Sequence, residues 1–146
     1  MHALLIYFLL GTATMTKHAT GTFEVQMISQ SENANDGNTL ARMTGEKQFH
    51  GAIEGTSKVE MLSAVTATKG SAAYVAIERV LATLDGRTGT FVLQHSGTMT
   101  RGTPMLSVTV VPDSGTGRLA GISGSMTIKI EDGKHFYDFE YTMGGK

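Results

Sequence analysis

The segment LAGISGSMTIKIEDGKHFYDFEYTM, residues 119–143, carries the clearest structural signal in the chain. Its Asp132-Gly133 pair suits a two-residue type I′ turn, whose central positions both need positive φ, and each flank alternates apolar with polar residues. Pairing outward from this turn sets Tyr137 against Ile128 and Phe139 against Met126. His135, Tyr137, Phe139 and Tyr141 then share one face with Ile128 and Ile130, while Asp138, Glu140, Lys129 and Glu131 take the other. The aromatic face points inward, because a strand with one polar side buries the other.

The same period of two extends back to residue 20, in stretches rich in Val, Ile, Thr, Phe and Tyr separated by Gly, Asp and Asn; helical spacing is nowhere sustained. It predicts strands at Phe23–Ser29, Ala41–Phe49, Thr56–Leu62, Ala72–Ala82, Thr90–Met99, Met105–Val111, Leu119–Glu131 and Lys134–Met143. Breaks fall at Asn33–Asn38, Gly51–Gly55, Thr68–Gly70, Asp85–Gly89, Arg101-Gly102, Pro112–Gly117 and Asp132-Gly133. Eight antiparallel strands in meander order, with no helix to cover a sheet face, predict an all-β fold closed into a small barrel. A two-sheet sandwich is the alternative.

Composition narrows the function. The chain of 146 residues suits one domain, and twelve Lys plus Arg against thirteen Asp plus Glu leave a formal charge of −1. No basic surface calls for nucleic acid or an anionic membrane. Cysteine is absent, which excludes disulfides, thiolate metal centres and cysteine nucleophiles. Forty per cent apolar against 17% charged residues is globular composition, and eighteen Gly beside two Pro indicate turns, not disorder.

The N-terminal residues 1–14 stand apart from the barrel domain 15–146. Ala3–Leu10 is an unbroken apolar run, shorter than the roughly 20 residues a membrane-spanning helix needs. Gly11-Thr12-Ala13 has the small-x-small form of a signal-peptidase site, but no Lys or Arg precedes the run. Met15-Thr16-Lys17 offers a second start, which makes the extension an upstream addition or a leader. A cytoplasmic location is expected, with secretion or the periplasm as the alternative.

Chaining the hairpin registers shows which side chains meet inside. Across Pro112–Gly117 the parity sets Val108 against Ile122, and across Arg101-Gly102 it sets Val108 against His95, which faces inward with Phe91 and Leu93. The longer turn at Asp85–Gly89 sets His95 against Glu78, and the turn at Thr68–Gly70 sets Glu78 against Glu60. Glu60, Glu78 and His95 then form a row on the wall that also carries Tyr74. A slip of one residue places Gln94 inside and His95 outside.

Opposed side chains on neighbouring strands have Cβ atoms roughly 5 Å apart, so two desolvated carboxylates would share a proton or a cation. The functional expectation is an interior cavity for a small, partly apolar molecule, with Glu60 and Glu78 as acid and base and His95 as proton shuttle. Tyr74, Tyr137 and Tyr141 would orient the ligand beside Gln94 or His95, with Phe91, Leu93 and Phe139 as the apolar wall. The structural alternative is a polar cluster in which Lys58 neutralises the carboxylates. His135 reads as a solvated rim residue, and His2, His18 and His50 have no motif around them. No histidine spacing suggests a metal, and Ser114–Gly121 lacks both the phosphate-loop pattern and a following helix, so no cofactor is expected. The outer face of strand 72–82 carries Ala73, Val75, Ile77 and Leu81, with Val92 across the hairpin, which points to a homo-oligomer.

Five ordered blocks complete the reading: Gly55-Thr56-Ser57-x-x-Glu60-Met61-Leu62; Tyr74-Val75-Ala76-x-Glu78-Arg79; Gly89 through Met99; Val110-Val111-Pro112-x-Ser114-Gly115-Thr116-Gly117; and His135-x-Tyr137-x-Phe139. Over residues 16–143 the chain resembles a bacterial domain-of-unknown-function family, DUF3224, of small proteins with an allene-oxide-cyclase-like, lipocalin-like barrel. Residues 1–14 depart from that family's usual start. The resemblance implies the barrel and no activity, since the family has none assigned. Cyclase chemistry would be analogy by fold alone. Enzyme, lipocalin-like carrier and a structural module filled by its own side chains all stay open, because eight strands enclose either a packed interior or one small ligand.

Overall fold

Period-two strands leave two unlike faces to be served, and this chain serves both by rolling its strands into a cylinder. The computed structural model describes residues 14–144. The apolar run Ala3–Leu10, with its readings as leader or upstream addition, and His2 lie outside the described residues. The strands are β1 (Lys17–Asn35), β2 (Asn38–Gly51), β3 (Ile53–Val65), β4 (Ala72–Leu84), β5 (Arg87–Thr100), β6 (Thr103–Val110), β7 (Ile122–Glu131) and β8 (Lys134–Met143). Each pairs antiparallel with the next, and β1 pairs with β8, so the fold is the closed eight-stranded meander barrel expected.

Four hairpins turn on two residues that both take positive φ: Asp36-Gly37 (50° and 77°), Asp85-Gly86 (49° and 73°), Arg101-Gly102 (46° and 89°) and Asp132-Gly133 (49° and 74°). Such turns match the right-handed twist of the strands they join. The strands consequently run longer than expected at most ends, up to the turn residues themselves.

The turns decide the registers. Tyr137 pairs with Ile128 and Phe139 with Met126 as expected, and His95 pairs with Val108. Two registers keep the expected face but slide. Asp85-Gly86 closes a tight hairpin, not a five-residue loop, so Leu84 meets Arg87, His95 lies opposite Ala76, and Glu78 lies opposite Leu93. Between β6 and β7 the register runs through Thr109 and Ser125, which brings Met126 level with Val108 in place of Ile122. The β3–β4 register is the one that flips: Val59 pairs with Glu78, and Glu60 pairs with Ile77. A one-residue slip exchanges the faces of a whole strand. Ser57, Val59 and Met61 therefore point inward, and Lys58 and Glu60 point to solvent.

The interior divides into two halves. At the end that holds the β4–β5 turn, the 3₁₀ turn Gly117–Leu119 pushes Leu119 against Gly89, and Phe49, Ile53, Leu84, Phe91 and Phe139 fill the space with at most 1% exposure each. Full burial of such a side chain contributes roughly 1.5–3 kcal/mol. The other end, ringed by the β3–β4, β5–β6 and β7–β8 connections, is hollow. On the outside, Val75, Ile77 and Leu81 stay about half exposed. Among the described residues no helix is long and apolar enough to cross a membrane.

Candidate functional site

The hollow half holds a cavity of about 530 Å³ that opens to solvent. Met27, Met43, Met61, Met99 and Met105 line it together with Val59, Ala76 and Ile128, and Lys47, Tyr74, His95 and His135 bring its titratable groups. Methionine suits such a wall, because an unbranched, polarisable side chain repacks around different shapes.

Glu78 lies beneath the cavity with no exposed surface. Its Oε1 accepts the Ser57 hydroxyl at 2.5 Å, and its Oε2 accepts Lys47 Nζ at 2.9 Å and His95 Nε2 at 2.7 Å. Burial by itself would push the carboxyl pKa up. The His95 hydrogen bond, the Lys47 charge and the Ser57 hydroxyl outweigh it and hold the group at about 2. A carboxylate only accepts, so His95 Nε2 carries the hydrogen and Nδ1 is the ring nitrogen turned away from Glu78. Lys47, only 9% exposed, runs its ammonium over the Phe23 ring, 4.5 Å from the centroid. Phe23 in turn stacks on His135 at 4.9 Å, so His135 is half-buried and part of the cavity wall, not a solvated rim residue.

Tyr74 stands beside His95 with ring centroids 6.3 Å apart. Its ring lies across Gly97, where a methyl group would come within 2.6 Å of Cε1, so glycine is what lets the ring close against the wall. Burial and the nearby Glu78 charge both raise the Tyr74 phenol pKa, which keeps the hydroxyl protonated as a donor.

Glu78, His95 and Tyr74 are thus brought together as the sequence implied, but through diagonal contacts, not a straight row. The remaining expectations are corrected. Glu60 is exposed on the outer wall and takes no part. Gln94 also faces out, which settles the choice between it and His95. Phe91, Tyr137, Phe139 and Tyr141 point inward but into the filled half: Phe139 stacks on Phe91 at 5.7 Å and on Tyr141 at 5.3 Å. The Tyr137 hydroxyl accepts the Ile53 N–H at 2.8 Å and donates to the His50 carbonyl at 3.1 Å, so it ties strands together. His18 and His50 sit outside with Asp138 and Glu24. Among the described residues no group of three or more His, Asp or Glu is placed to hold a metal ion. Glu60→Gln is expected to change unfolding free energy by less than about 0.5 kcal/mol in urea denaturation. A larger loss would return that carboxylate to the interior.

Lys47 and Ser57 are the partners that sequence reasoning missed. Their signal was present: Lys47 falls in step with Met43, Gly45 and Phe49 on β2, opposite the polar set Arg42, Thr44, Glu46, Gln48 and His50. A lone charge on an apolar face marks a buried ion pair. Lys58, the expected neutraliser, lies 85% exposed and 4.0 Å from Glu46.

These features define a class: a closed meander barrel, packed at one end and hollow at the other, with a buried carboxylate–imidazole–ammonium cluster under the hollow. The chain belongs to the family described as protein of unknown function (DUF3224), whose model matches residues 19–141. It is similar to the crystal structure of a protein of unknown function from the same family in Shewanella oneidensis MR-1. The two share 47% identity and a TM-score of 0.85, covering 90% of this chain and 100% of the other. No curated protein matches.

Proposed function

We propose that this protein binds a small, predominantly apolar molecule in the hollow half of its barrel. The observation that carries the reading is the cavity itself. Its volume of about 530 Å³ lies inside the range of about 300–1,000 Å³ usual for ligand sites, and its walls are apolar with a few convergent polar groups. A barrel built only as a structural module would continue its core through this space.

The Glu78–His95 pair favours a second reading, cofactor-independent proton transfer of the isomerase or cyclase kind. Nδ1 of His95 would accept a proton from a bound molecule, and Glu78 behind it would stabilise the imidazolium. Glu78 would act as a positioning residue, since it does not line the cavity.

Native mass spectrometry of protein purified gently from its own host tests the first reading. A bound mass that departs on denaturation is expected. Saturable fluorescence of the apolar probe N-phenyl-1-naphthylamine, lost when Ala72→Phe fills the cavity, is the companion result. Failure of both overturns it. Proton transfer is separated from carriage by incubating the released molecule with fresh protein: a carrier returns it unchanged, whereas an enzyme alters it and His95→Gln stops the change while binding persists.

A further inference from the structure

The polar groups that the cavity presents are all hydrogen-bond donors or groups able to become donors. Lys47 offers an ammonium, Tyr74 a phenol kept protonated by its surroundings, and His95 and His135 their imidazoles, with the Ser63 hydroxyl besides. Among the described residues no aspartate or glutamate lines it. Glu78, the carboxylate beneath, is closed off by its bonds to Ser57, Lys47 and His95. One of the three ammonium hydrogens of Lys47 is committed there, which leaves two donors on a nitrogen that lies 4.5 Å from the Phe23 ring centroid in a residue lining the cavity.

We infer that the cavity selects apolar molecules that end in an acid group, a carboxylate or an equivalent oxyanion, bound head inward toward Lys47, His95 and Tyr74. The inference rests on the proposed ligand-binding function and gives it a chemical class. An apolar chain with a hydroxyl head is the natural rival, since neutral His95 accepts through Nδ1. Desolvation decides between them. A hydroxyl oxygen accepts from at most two of the donors gathered here and brings a further donor of its own, whereas a carboxylate only accepts and has room for the donors of Lys47, His95 and Tyr74 together. The tail would lie among Met27, Met43, Met61 and Ile128.

The test compares decanoate with 1-decanol, each displacing N-phenyl-1-naphthylamine from the full-length protein at neutral pH. Decanoate is expected to bind at least about tenfold more tightly, the scale on which hydrogen bonds to a charged group exceed those to a neutral one. Tyr74→Phe, which removes one donor and leaves the buried ion pair intact, should cut decanoate affinity by about fivefold and spare decanol. Lys47→Met should bring the ratio of the two affinities close to one; because the ratio is internal to each variant, partial unfolding does not mimic the result. Equal affinities in the unaltered protein, or tighter binding of decanol, overturn the inference while leaving a ligand-binding barrel in place. If neither these molecules nor the probe binds, the binding function fails and the inference falls with it.

Discussion

Glu78→Gln is expected to lower the unfolding free energy by about 3–5 kcal/mol, the usual cost of removing one partner from a buried ion pair. Lys47, with a side chain 8% exposed, would lie beside an amide that cannot balance its charge, and among the described residues no other carboxylate lines the cavity it faces. His95 would retain a hydrogen-bond acceptor in the glutamine oxygen, so the loss traces to Lys47 and not to imidazole geometry. Urea denaturation followed by circular dichroism measures it. A loss under about 1 kcal/mol would mean that the cluster is wetter than its burial indicates.

The same substitution removes a pH dependence whose sign is fixed. The Glu78 carboxyl is held at about 2 in the folded protein against an ordinary value of 4.5. A folded-state pKa below the unfolded one adds stability that is present above about pH 4.5 and lost as the pH falls toward 2. The displacement corresponds to something on the order of 3 kcal/mol. Stability of the unaltered protein should therefore fall more steeply on acidification than that of Glu78→Gln, and the two curves should converge at the acid end.

Phe139→Ala is expected to cost about 3–5 kcal/mol as well, for a different reason. Phe139 is fully buried between Phe91 and Tyr141, and the strands around it have no freedom to collapse into the space it would leave. The cavity lies in the other half, so the variant, cooled until it is folded, should bind N-phenyl-1-naphthylamine as the unaltered protein does. Loss of probe binding in a folded Phe139→Ala protein would join the two halves and restore this ring to the ligand's surroundings.

Where register was carried by a two-residue turn, it was legible. Asp132-Gly133 and Arg101-Gly102 set β5, β6 and β8 correctly, because mirror-image turns leave no slack between strands. Asp85-Gly86 has the same chemistry, and reading it as a longer loop displaced His95 by two residues without changing its face. The connection between β3 and β4 is different. The Thr66 N–H donates to the Ser71 carbonyl at 3.1 Å and the Ser71 N–H to the Thr68 carbonyl at 3.0 Å, closing a loop whose composition suits one residue more or less equally well. That single residue turned Glu60 outward and Ser57 inward. Alternation within β3 held the answer, since Val59 and Met61 outweigh Leu62 as the apolar side.

The local order of residues was enough to determine the barrel, its strand sequence and the inward faces of β4, β5, β7 and β8, because period-two alternation and tight turns act over a few residues. Which half of the cylinder is packed and which is hollow, and the meeting of Lys47 on β2 with Glu78 on β4 across the intervening β3, were decided only in three dimensions. Those outcomes depend on side-chain reach across the interior and on the plug that Leu119 makes after a long connection. Contacts between residues 31 positions apart leave no periodic trace in the chain.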